Sequence, residues 1–408
     1  MQQAGRRSAR LRSMTTVALV HDYLTQRGGA ERVVLSMLKA FPGAPLYTSV
    51  YEPEATFPEF GDHDVRPMWT NRIGALRADH RRGLPLYPLA FGRLRLDPEP
   101  DVVVCSSSGF AHGVRTTARK VVYCYTPPRW LYGKAPAYLA GWPRPLRAAC
   151  RLAAPGLRAW DRRSAHTADR YLTSSSTAAA DILAAYNLTA TVLPPPVQVD
   201  IKGEQQAVRE IRPGFMLCVS RLLAYKNIDA VVAAFRSLPD SRLVVVGEGP
   251  ERHRLMASAP PNVTVVGRVS EAELRWLYAS CFGLVSAAYE DFGLTPIEAA
   301  AFGKPVAALR AGGFLDTVLE GQTGEFFLTP APSSIAGALT RLLAHPWDPL
   351  ALVTHAASYG EARFITELRS AALAPLRATG GAGSLAGAPG SGCASEDGRK
   401  LPTIGKRL

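Results

Sequence analysis

The sequence predicts an α/β protein built from two parallel-sheet domains, and three observations support this fold class. The chain has 408 residues, of which 47% are hydrophobic, which is enough to fill two sizeable cores. Short β-branched runs alternate with helical patterns in both halves, as in sheets that are covered on both faces by crossover helices. Three prolines at 194–196 interrupt the alternation and indicate a stiff, extended domain junction.

The individual elements follow from apolar runs and helical periodicity. In the first half, strands are expected at 16–20, 102–105, 120–123 and 171–173, and helices at 30–40, 146–167 and 177–185. In the second half, strands are expected at 215–219, 243–246, 263–266, 305–309 and from 283, and helices at 228–238, 271–279 and 334–343. Two such Rossmann-like halves would leave a cleft between the carboxyl edges of their sheets, where ligands of open α/β sheets bind.

The most informative segment is 290–298, which reads Glu-Asp-Phe-Gly-Leu-Thr-Pro-Ile-Glu and opens a small-residue helix. Thr295 is expected to be the N-cap, with Pro296 at the first helical position and Glu298 completing a capping box. Such a turn presents backbone N–H groups and the positive end of a helix dipole, which together form an anion site. The flanking carboxylates suit sugar hydroxyls, so the segment indicates a phosphate-linked sugar. The alternative is a well-capped helix without a ligand.

Two cations follow the first strand of the second half. Arg221 supplies a planar fork and Lys226 a point charge, which together suit the two phosphates of a diphosphate. Their contribution to catalysis is greatest if they neutralise charge as a nucleoside diphosphate leaves. The alternative is a surface loop with two ordinary cations.

These segments resemble retaining glycosyltransferases of the GT-B fold, glycosyltransferase family 4. The matching pieces are Ser220-Arg221, Lys226-Asn227, 244–249, 266–269, 290–298 and Gly312-Gly313-Phe314. The resemblance covers about residues 14–375 and implies two Rossmann-like domains that face each other across a cleft. The expected parts are a disordered basic arm at 1–13, an acceptor-binding domain at 14–193, a nucleotide-sugar-binding domain at 197–360, a helix at 361–377 that packs back towards the first domain, and a disordered tail at 378–408.

The resemblance also implies roles for the matching residues of the second half. Arg221 and Lys226 would bind the donor diphosphate and, with Glu290, form the catalytic set. Glu290 would contact hydroxyls of the donor sugar, and Glu298 would contact the ribose. The remaining donor-binding positions are Arg268 and Val269 at the base, and Phe292, Gly293, Leu294 and Thr295 at the sugar and phosphate.

The first half resembles the same family. Gly28 and Gly29 match its N-terminal glycine loop, which lies against the donor diphosphate. Tyr125 stands where the mannosyltransferase branch usually has a histidine that contacts the donor sugar. A tyrosine can hydrogen-bond a hydroxyl, but it is not cationic at neutral pH. The candidate acceptor-binding residues are Asp22, His112 and Arg129. For His112 the alternative is a histidine satisfied within the structure.

The charge of the chain predicts an anionic partner. The formal net charge is +13, and between Arg66 and Arg163 there are eighteen Lys and Arg against five Asp and Glu. Such a surface favours an anionic membrane or a lipid-linked substrate, and without a recognisable nucleic-acid module we expect no nucleic acid. The alternative is an arginine bias with no partner. Since neither a membrane-spanning run nor a secretory signal is recognised, we expect a cytoplasmic protein, peripheral at the inner face of the plasma membrane.

These observations predict a transferase that moves a hexose, with mannose from GDP-mannose as the expected donor, to a lipid-linked or polymeric glycan of the cell envelope or extracellular polysaccharide. No cofactor or metal is expected, because no Asp-x-Asp motif lies at a strand end and the six cysteines lack metal-like spacing. The alternatives are a UDP- or ADP-sugar donor, a nucleotide-sugar 2-epimerase, and a non-catalytic nucleotide-sugar-binding subunit.

Overall fold

The computed structural model describes residues 15–132, 144–197 and 199–374. The predicted basic arm at 1–13, the predicted tail at 378–408 and positions 375–377 of the predicted last helix lie outside the described residues. No helix within the described ranges is long and apolar enough to cross a bilayer.

The first domain is a parallel sheet covered on both faces. In the part of the chain that the structure describes, its strands are β1 (Val17–His21), β2 (Leu46–Thr48), β3 (Val65–Pro67), β4 (Val102–Ser107), β5 (Arg119–Cys124), β6 (Arg170–Thr173) and β7 (Thr191–Val192). They pair in the order β3-β2-β1-β4-β5-β6-β7. The order therefore reverses beside β1, which pairs with β2 on one side and β4 on the other.

The helices of this domain form two cores, one on each face of the sheet. They are α1 (Gly29–Ala40), α2 (Gly74–Ala78), α3 (Tyr87–Gly92), α4 (Arg144–Ala165) and α5 (Ser176–Tyr186). Alternation along β4 shows both faces: Val102 and Val104 pack in the core with α1, while Val103 and Cys105 pack in the core with α3. A period of two with apolar residues on both faces is typical of a buried parallel strand.

The second domain repeats this architecture. Its strands are β8 (Met216–Val219), β9 (Leu243–Val246), β10 (Val263–Gly267), β11 (Gly283–Ser286), β12 (Val306–Leu309) and β13 (Gly324–Phe327), paired in parallel in the order β10-β9-β8-β11-β12-β13. Its helices are α6 (Ile228–Ala234), α7 (Arg252–Ser258), α8 (Glu271–Ser280), α9 (Leu294–Ala301), α10 (Phe314–Thr317), α11 (Pro332–Ala344) and α12 (Pro349–Ala357). The predicted fold class, two Rossmann-like α/β domains, is confirmed.

The last described helix, α13 (Glu361–Leu373), returns to the first domain. Its buried residues Phe364, Leu368 and Ala372 belong to the core that contains α1. At the edge of this contact the Lys39 ammonium lies 2.9 Å from the Glu361 carboxylate. The last described helix is therefore built into the first domain, although it follows the second domain in sequence.

Candidate functional site

A cleft of about 1120 Å³ lies where the carboxyl ends of strands from both sheets meet. Its walls include Asp22 after β1, Ser108 after β4, Arg221 after β8 and Asp291 after β11. This edge is where open parallel sheets bind their ligands. The predicted site residues that border the cleft are Asp22, Gly28, Gly29, Tyr125, Arg129, Arg221, Phe292, Leu294 and Glu298. The predicted residues outside its lining are His112, Lys226, Arg268, Val269, Glu290, Gly293 and Thr295.

The start of α9 differs from the predicted capping box. The N-cap is Gly293 with a φ of 83°, and no side chain caps the helix. Thr295 therefore lies inside the helix, because a glycine in the left-handed conformation lets the chain enter the helix earlier. The Glu298 carboxylate accepts a hydrogen bond of 2.7 Å from the Tyr278 hydroxyl instead. The prediction of the box was wrong, and the first N–H groups of α9 have no side-chain cap.

The glycine pair Gly312-Gly313 packs against the backbone of the loop before α9. The Gly313 N–H donates to the Glu290 carbonyl over 2.8 Å. A Cβ on Gly312 would lie 2.3 Å from that carbonyl oxygen, and one on Gly313 would lie 2.2 Å from the Phe292 Cα. Such distances are far below van der Waals contact. The loop that carries Glu290 and Phe292 can therefore pack this closely only against residues without a Cβ.

Replacing Gly313 with alanine will therefore displace the loop that carries Phe292. The Gly313 φ of −68° is ordinary for alanine, so the effect isolates the steric contact with this backbone. We expect a stability loss of about 1–3 kcal/mol, as for other overpacking substitutions, measured by urea unfolding. Gly92→Ala is the control, since its Cβ would meet no atom within 4 Å. Equal stability of both variants would contradict this packing.

Glu298 is a half-buried acidic group at the wall of the cleft. Burial raises the pKa of its carboxyl group, while the Tyr278 hydrogen bond and the nearby Arg32 charge partly oppose this shift. Desolvation penalises the charged form of the carboxyl group. A ligand hydroxyl that donates to this carboxylate would relieve part of that penalty.

The pH dependence of stability will report this burial. The folded pKa of Glu298 lies above the ordinary value of 4.5. The contribution of this carboxyl group to the free energy of unfolding is therefore fully present below pH 4.5 and is lost as pH rises through the folded pKa. Glu298→Gln, which can still accept from Tyr278, will thus melt above the wild type at pH 7, with the gap shrinking towards pH 4. Melting curves across this range test it, and a gap independent of pH would contradict it.

Lys226 and Glu290 form an ion pair with each other. The Lys226 side chain is only 7% exposed, and neither residue borders the cleft. The structure thus brings two of the three predicted catalytic residues together, but neither belongs to the cleft lining. Of the three, only Arg221 borders the cleft itself.

Two further arginines border the cleft from the first domain, and neither is among the predicted site residues. Arg27 donates to the Thr56 carbonyl over 2.9 Å, and the Arg32 guanidinium lies 5.1 Å from the centre of the Phe57 ring. Both line the same cleft as Arg221. The sequence could have indicated Arg32, because this residue lies one turn into the helix that begins at the glycine loop. With the ion-paired Arg129 and Arg275, the cleft is lined by five guanidinium groups, which suits an anionic ligand.

The predicted base-binding pair, Arg268 and Val269, lies outside the cleft lining. Arg268 is exposed and its N–H donates to Glu248 over 3.0 Å, whereas Val269 packs against the second-domain core. One face of α8 borders the cleft instead, through Glu271, Leu274, Arg275 and Tyr278. Their spacing of i, i+3, i+4 and i+7 is that of a single helix face and could have indicated this wall.

Tyr125 borders the cleft and ties two elements of the first domain together. Its hydroxyl donates to the Ala30 carbonyl over 3.1 Å and lies 3.0 Å from the Ser106 Oγ. Burial raises the pKa of this phenol, so it stays a neutral hydrogen-bonding group. The end of β5 is thereby fixed to the first turn of α1, beside the predicted glycine loop.

The predicted acceptor residues Asp22 and His112 both have partners within the first domain. The Asp22 carboxylate borders the cleft but accepts the backbone N–H groups of Ser108, Phe110 and Ala111, at 2.6, 2.9 and 2.7 Å. His112 is buried, and its Nε2 lies 3.0 Å from the Asp161 carboxylate. The prediction that His112 faces an acceptor was wrong, because the chain turns it into the core beneath α4.

The third, Arg129, forms an ion pair with Asp291 across the cleft. Close by, the Ser175 hydroxyl donates to the Asp291 carbonyl. The Ser176 N–H and hydroxyl also donate to the Asp316 carboxylate, at 3.1 and 3.0 Å. These contacts join the first domain to the loop before α9 and to α10, so they hold the two walls of the cleft together.

Across residues 15–132, 144–197 and 199–374, no group of three or more His, Cys, Asp or Glu side chains is arranged to hold a metal ion. The described cysteines are reduced, and Cys105, Cys124, Cys218 and Cys281 are buried.

Comparison with known proteins agrees with this geometry. Residues 202–361 match the model of the family described as glycosyl transferases group 1. HepE from Anabaena in complex with UDP superposes with a TM-score of 0.63 at 15% identity, covering 87% of this chain and 99% of that chain. The fold of the present chain is therefore GT-B, the architecture of glycosyltransferases of this kind.

Two relatives are similar to part of this chain. Glycogen synthase of Mycobacterium tuberculosis is 31% identical over 149 residues, or 34% of this chain and 35% of that protein. A GDP-mannose-dependent α-(1-6)-phosphatidylinositol monomannoside mannosyltransferase of Mycolicibacterium smegmatis is 32% identical over 148 residues, or 32% of this chain and 39% of that protein. The aligned parts thus span little more than a third of these relatives.

Proposed function

We propose that this protein is a retaining glycosyltransferase of family 4 that moves a hexose from a nucleotide sugar to a glycan or lipid-linked acceptor. The observation that carries the proposal is the convergence of Arg27, Arg32 and Arg221 with the uncapped start of α9 in one cleft. Guanidinium groups and helix N-termini are the protein groups that suit a diphosphate. The group 1 match of the domain that contains Arg221 supports the same assignment.

In the proposed mechanism, the second domain binds the donor and the first binds the acceptor. With the walls held together by contacts such as Arg129–Asp291, water is excluded, which protects the reactive sugar from hydrolysis. Arg221 and the α9 N–H groups stabilise the charge on the departing diphosphate. No carboxylate of the predicted motifs is an evident covalent nucleophile, so substitution on the same face through an oxocarbenium-like transition state fits best. No metal or cofactor takes part.

For the donor we propose GDP-mannose. Support comes from the mannosyltransferase-like segment around Tyr125 and from the M. smegmatis relative, whose name specifies GDP-mannose. UDP- and ADP-sugars are the alternative donors, and HepE has been solved with UDP. The test is release of nucleoside diphosphate from GDP-mannose, UDP-glucose and ADP-glucose with membrane glycolipid extract as acceptor. We expect GDP to be released from GDP-mannose, and only when the extract is present.

The same assay separates the other candidate functions. A nucleotide-sugar 2-epimerase would convert the donor into an isomer without acceptor and without free nucleotide. A non-catalytic nucleotide-sugar-binding subunit would bind the donor but leave it unchanged with every acceptor. Either result would overturn the transferase proposal.

We further propose that the protein works in the cytoplasm against the anionic inner face of the membrane, in cell-envelope or extracellular polysaccharide synthesis. Its exposed α4 face supports this, because it carries cations beside Leu152, which is 85% exposed. The exposed arginines of this helix are Arg144, Arg151, Arg158, Arg162 and Arg163. The sole acid of α4, Asp161, is buried. Each such cation near an anionic bilayer contributes about 1 kcal/mol.

Charge reversal on this face will weaken binding to anionic vesicles. We expect Arg151→Glu/Arg163→Glu to lose co-sedimentation with vesicles of phosphatidylglycerol and phosphatidylcholine. Arg236→Glu/Arg369→Glu changes the net charge equally on exposed residues elsewhere and should retain it. Equal binding by both double variants would contradict the α4 surface.

A further inference from the structure

The first-domain wall of the cleft contains an aromatic recess, defined by Tyr23, His80, Leu84, Phe110 and Trp130. The Tyr23 and His80 rings are stacked, with centroids 3.8 Å apart and an interplanar angle of 15°. The Phe110 and Trp130 rings lie 6.0 Å apart and are tilted by 36°. None of these residues belongs to the predicted acceptor set.

The stacked pair is held in place by the surrounding protein. The His80 Nδ1 lies 2.9 Å from the Thr25 hydroxyl, and the His80 carbonyl accepts from the Tyr87 hydroxyl over 2.7 Å. Burial, with the neighbouring Arg81 charge, lowers the pKa of His80 to about 4. The imidazole is therefore neutral at neutral pH, and the five residues of the recess contribute no cation.

Neutral polar groups lie next to these rings. Because Asp22 binds the N–H groups of Ser108, Phe110 and Ala111, it fixes the loop after β4 against β1. That loop brings Ser108 and Gly109 to the cleft beside the aromatic recess. The Asp22 carboxylate already accepts from these three N–H groups. The polar groups beside the aromatic recess are therefore the Ser108 hydroxyl and backbone groups of Ser108 and Gly109.

We propose that the aromatic recess binds a neutral pyranose ring of the acceptor. One face of a pyranose carries C–H bonds, which pack against the electron-rich faces of aromatic rings, while its hydroxyls require neutral hydrogen-bonding groups beside those rings. None of the five recess residues carries a positive charge, so a phosphate group would find no cation among them. The inference rests on the proposed function and names the substrate class at its acceptor end.

Saturation-transfer NMR on the whole protein tests this assignment with methyl α-D-mannopyranoside and methyl α-D-glucopyranoside. Irradiation of aromatic protons should transfer to the sugar ring protons. Tyr23→Ala and His80→Ala should each raise the Kd of the methyl glycoside by about 3- to 10-fold. Tyr23→Phe should retain binding. Trp69→Ala, which removes an aromatic ring that is 44% exposed and outside the cleft lining, should change nothing.

Octyl β-D-glucopyranoside below its critical micelle concentration distinguishes the possible sources of the sugar. Transfer to ring and chain protons would support a lipid-linked acceptor, and transfer to the ring alone would support a polymeric glycan. Transfer to the chain alone would overturn the proposal, because the recess would then hold a lipid tail. Sugar signals that persist unchanged in Tyr23→Ala and His80→Ala would also overturn it.

Nucleotide binding provides the readout that separates this inference from the proposed function. Tyr23→Ala should show the wild-type thermal shift with nucleoside diphosphates, because its side chain belongs to the acceptor end. If the wild type binds no nucleotide but binds pyranosides through the recess, the proposed function fails and the recess assignment stands. If nucleotides bind and pyranosides do not, the recess assignment fails alone.

Discussion

Replacing Arg221 with alanine will lower kcat by about 10²–10³-fold, which corresponds to the loss of one strong charge contact in the transition state. Arg221 is exposed at the cleft wall, and its guanidinium makes a 3.3 Å hydrogen bond to the Tyr225 hydroxyl. Because the exposed Arg221 side chain makes few packing contacts, its removal should leave the fold unaffected. The loss should fall on kcat, since the diphosphate charge develops as the sugar departs. Steady-state kinetics with the preferred donor measure it.

Arg236→Ala is the matched control, because this arginine is exposed in the same domain and does not line the cleft. Arg221→Lys should restore part of the rate, as a point charge without the planar fork. Lys226→Ala is a less specific probe, since it also leaves Glu290 without its ion-pair partner. Turnover like the wild type in Arg221→Ala would exclude Arg221 from the transition state.

Phe364→Ala will lower the free energy of unfolding by about 3–5 kcal/mol, the range for truncating a large buried aromatic side chain. Phe364 is fully buried, and its ring meets Tyr123 edge to face, with centroids 5.8 Å apart. It holds α13 against the α1 core of the first domain, so the cavity would loosen the return of the chain to that domain.

Urea unfolding measures this difference, and Phe282→Ala is its control. Phe282 is 41% exposed in the second domain, so its truncation should change stability by only about 0.5 kcal/mol or less. Similar losses in the two variants would mean that α13 contributes no more to stability than an exposed side chain does.

The sequence predicted the fold because the long strands are continuous apolar runs between helical segments. The strands at Val102–Ser107 and Leu243–Val246 each contain three consecutive valines, and such β-branched runs identify buried parallel strands. The strands at Leu46–Thr48 and Val65–Pro67 were missed, because three residues are too few to show a periodicity. Their place in the sheet depends on pairing with a neighbour.

The candidate site was predicted only in part, because its geometry depends on contacts between distant residues. The sequence identified the sheet edge of Arg221, but the Lys226–Glu290 pair spans 64 positions and the Arg129–Asp291 pair spans 162. Local rules also compete: Thr295 is a good N-cap by residue type, yet the left-handed Gly293 begins the helix earlier. His112 follows a strand as an exposed ligand would, and only tertiary packing shows that it is buried.

Isothermal titration of the protein with GDP, UDP and ADP shows whether the cleft binds a nucleoside diphosphate. We expect binding of one nucleotide, GDP, with an affinity that Arg221→Ala reduces and Arg236→Ala leaves unchanged. Selective binding of UDP or ADP would retain the cleft and replace the proposed mannose donor. Absence of binding by all three would contradict the assignment of the cleft as a nucleotide-sugar site.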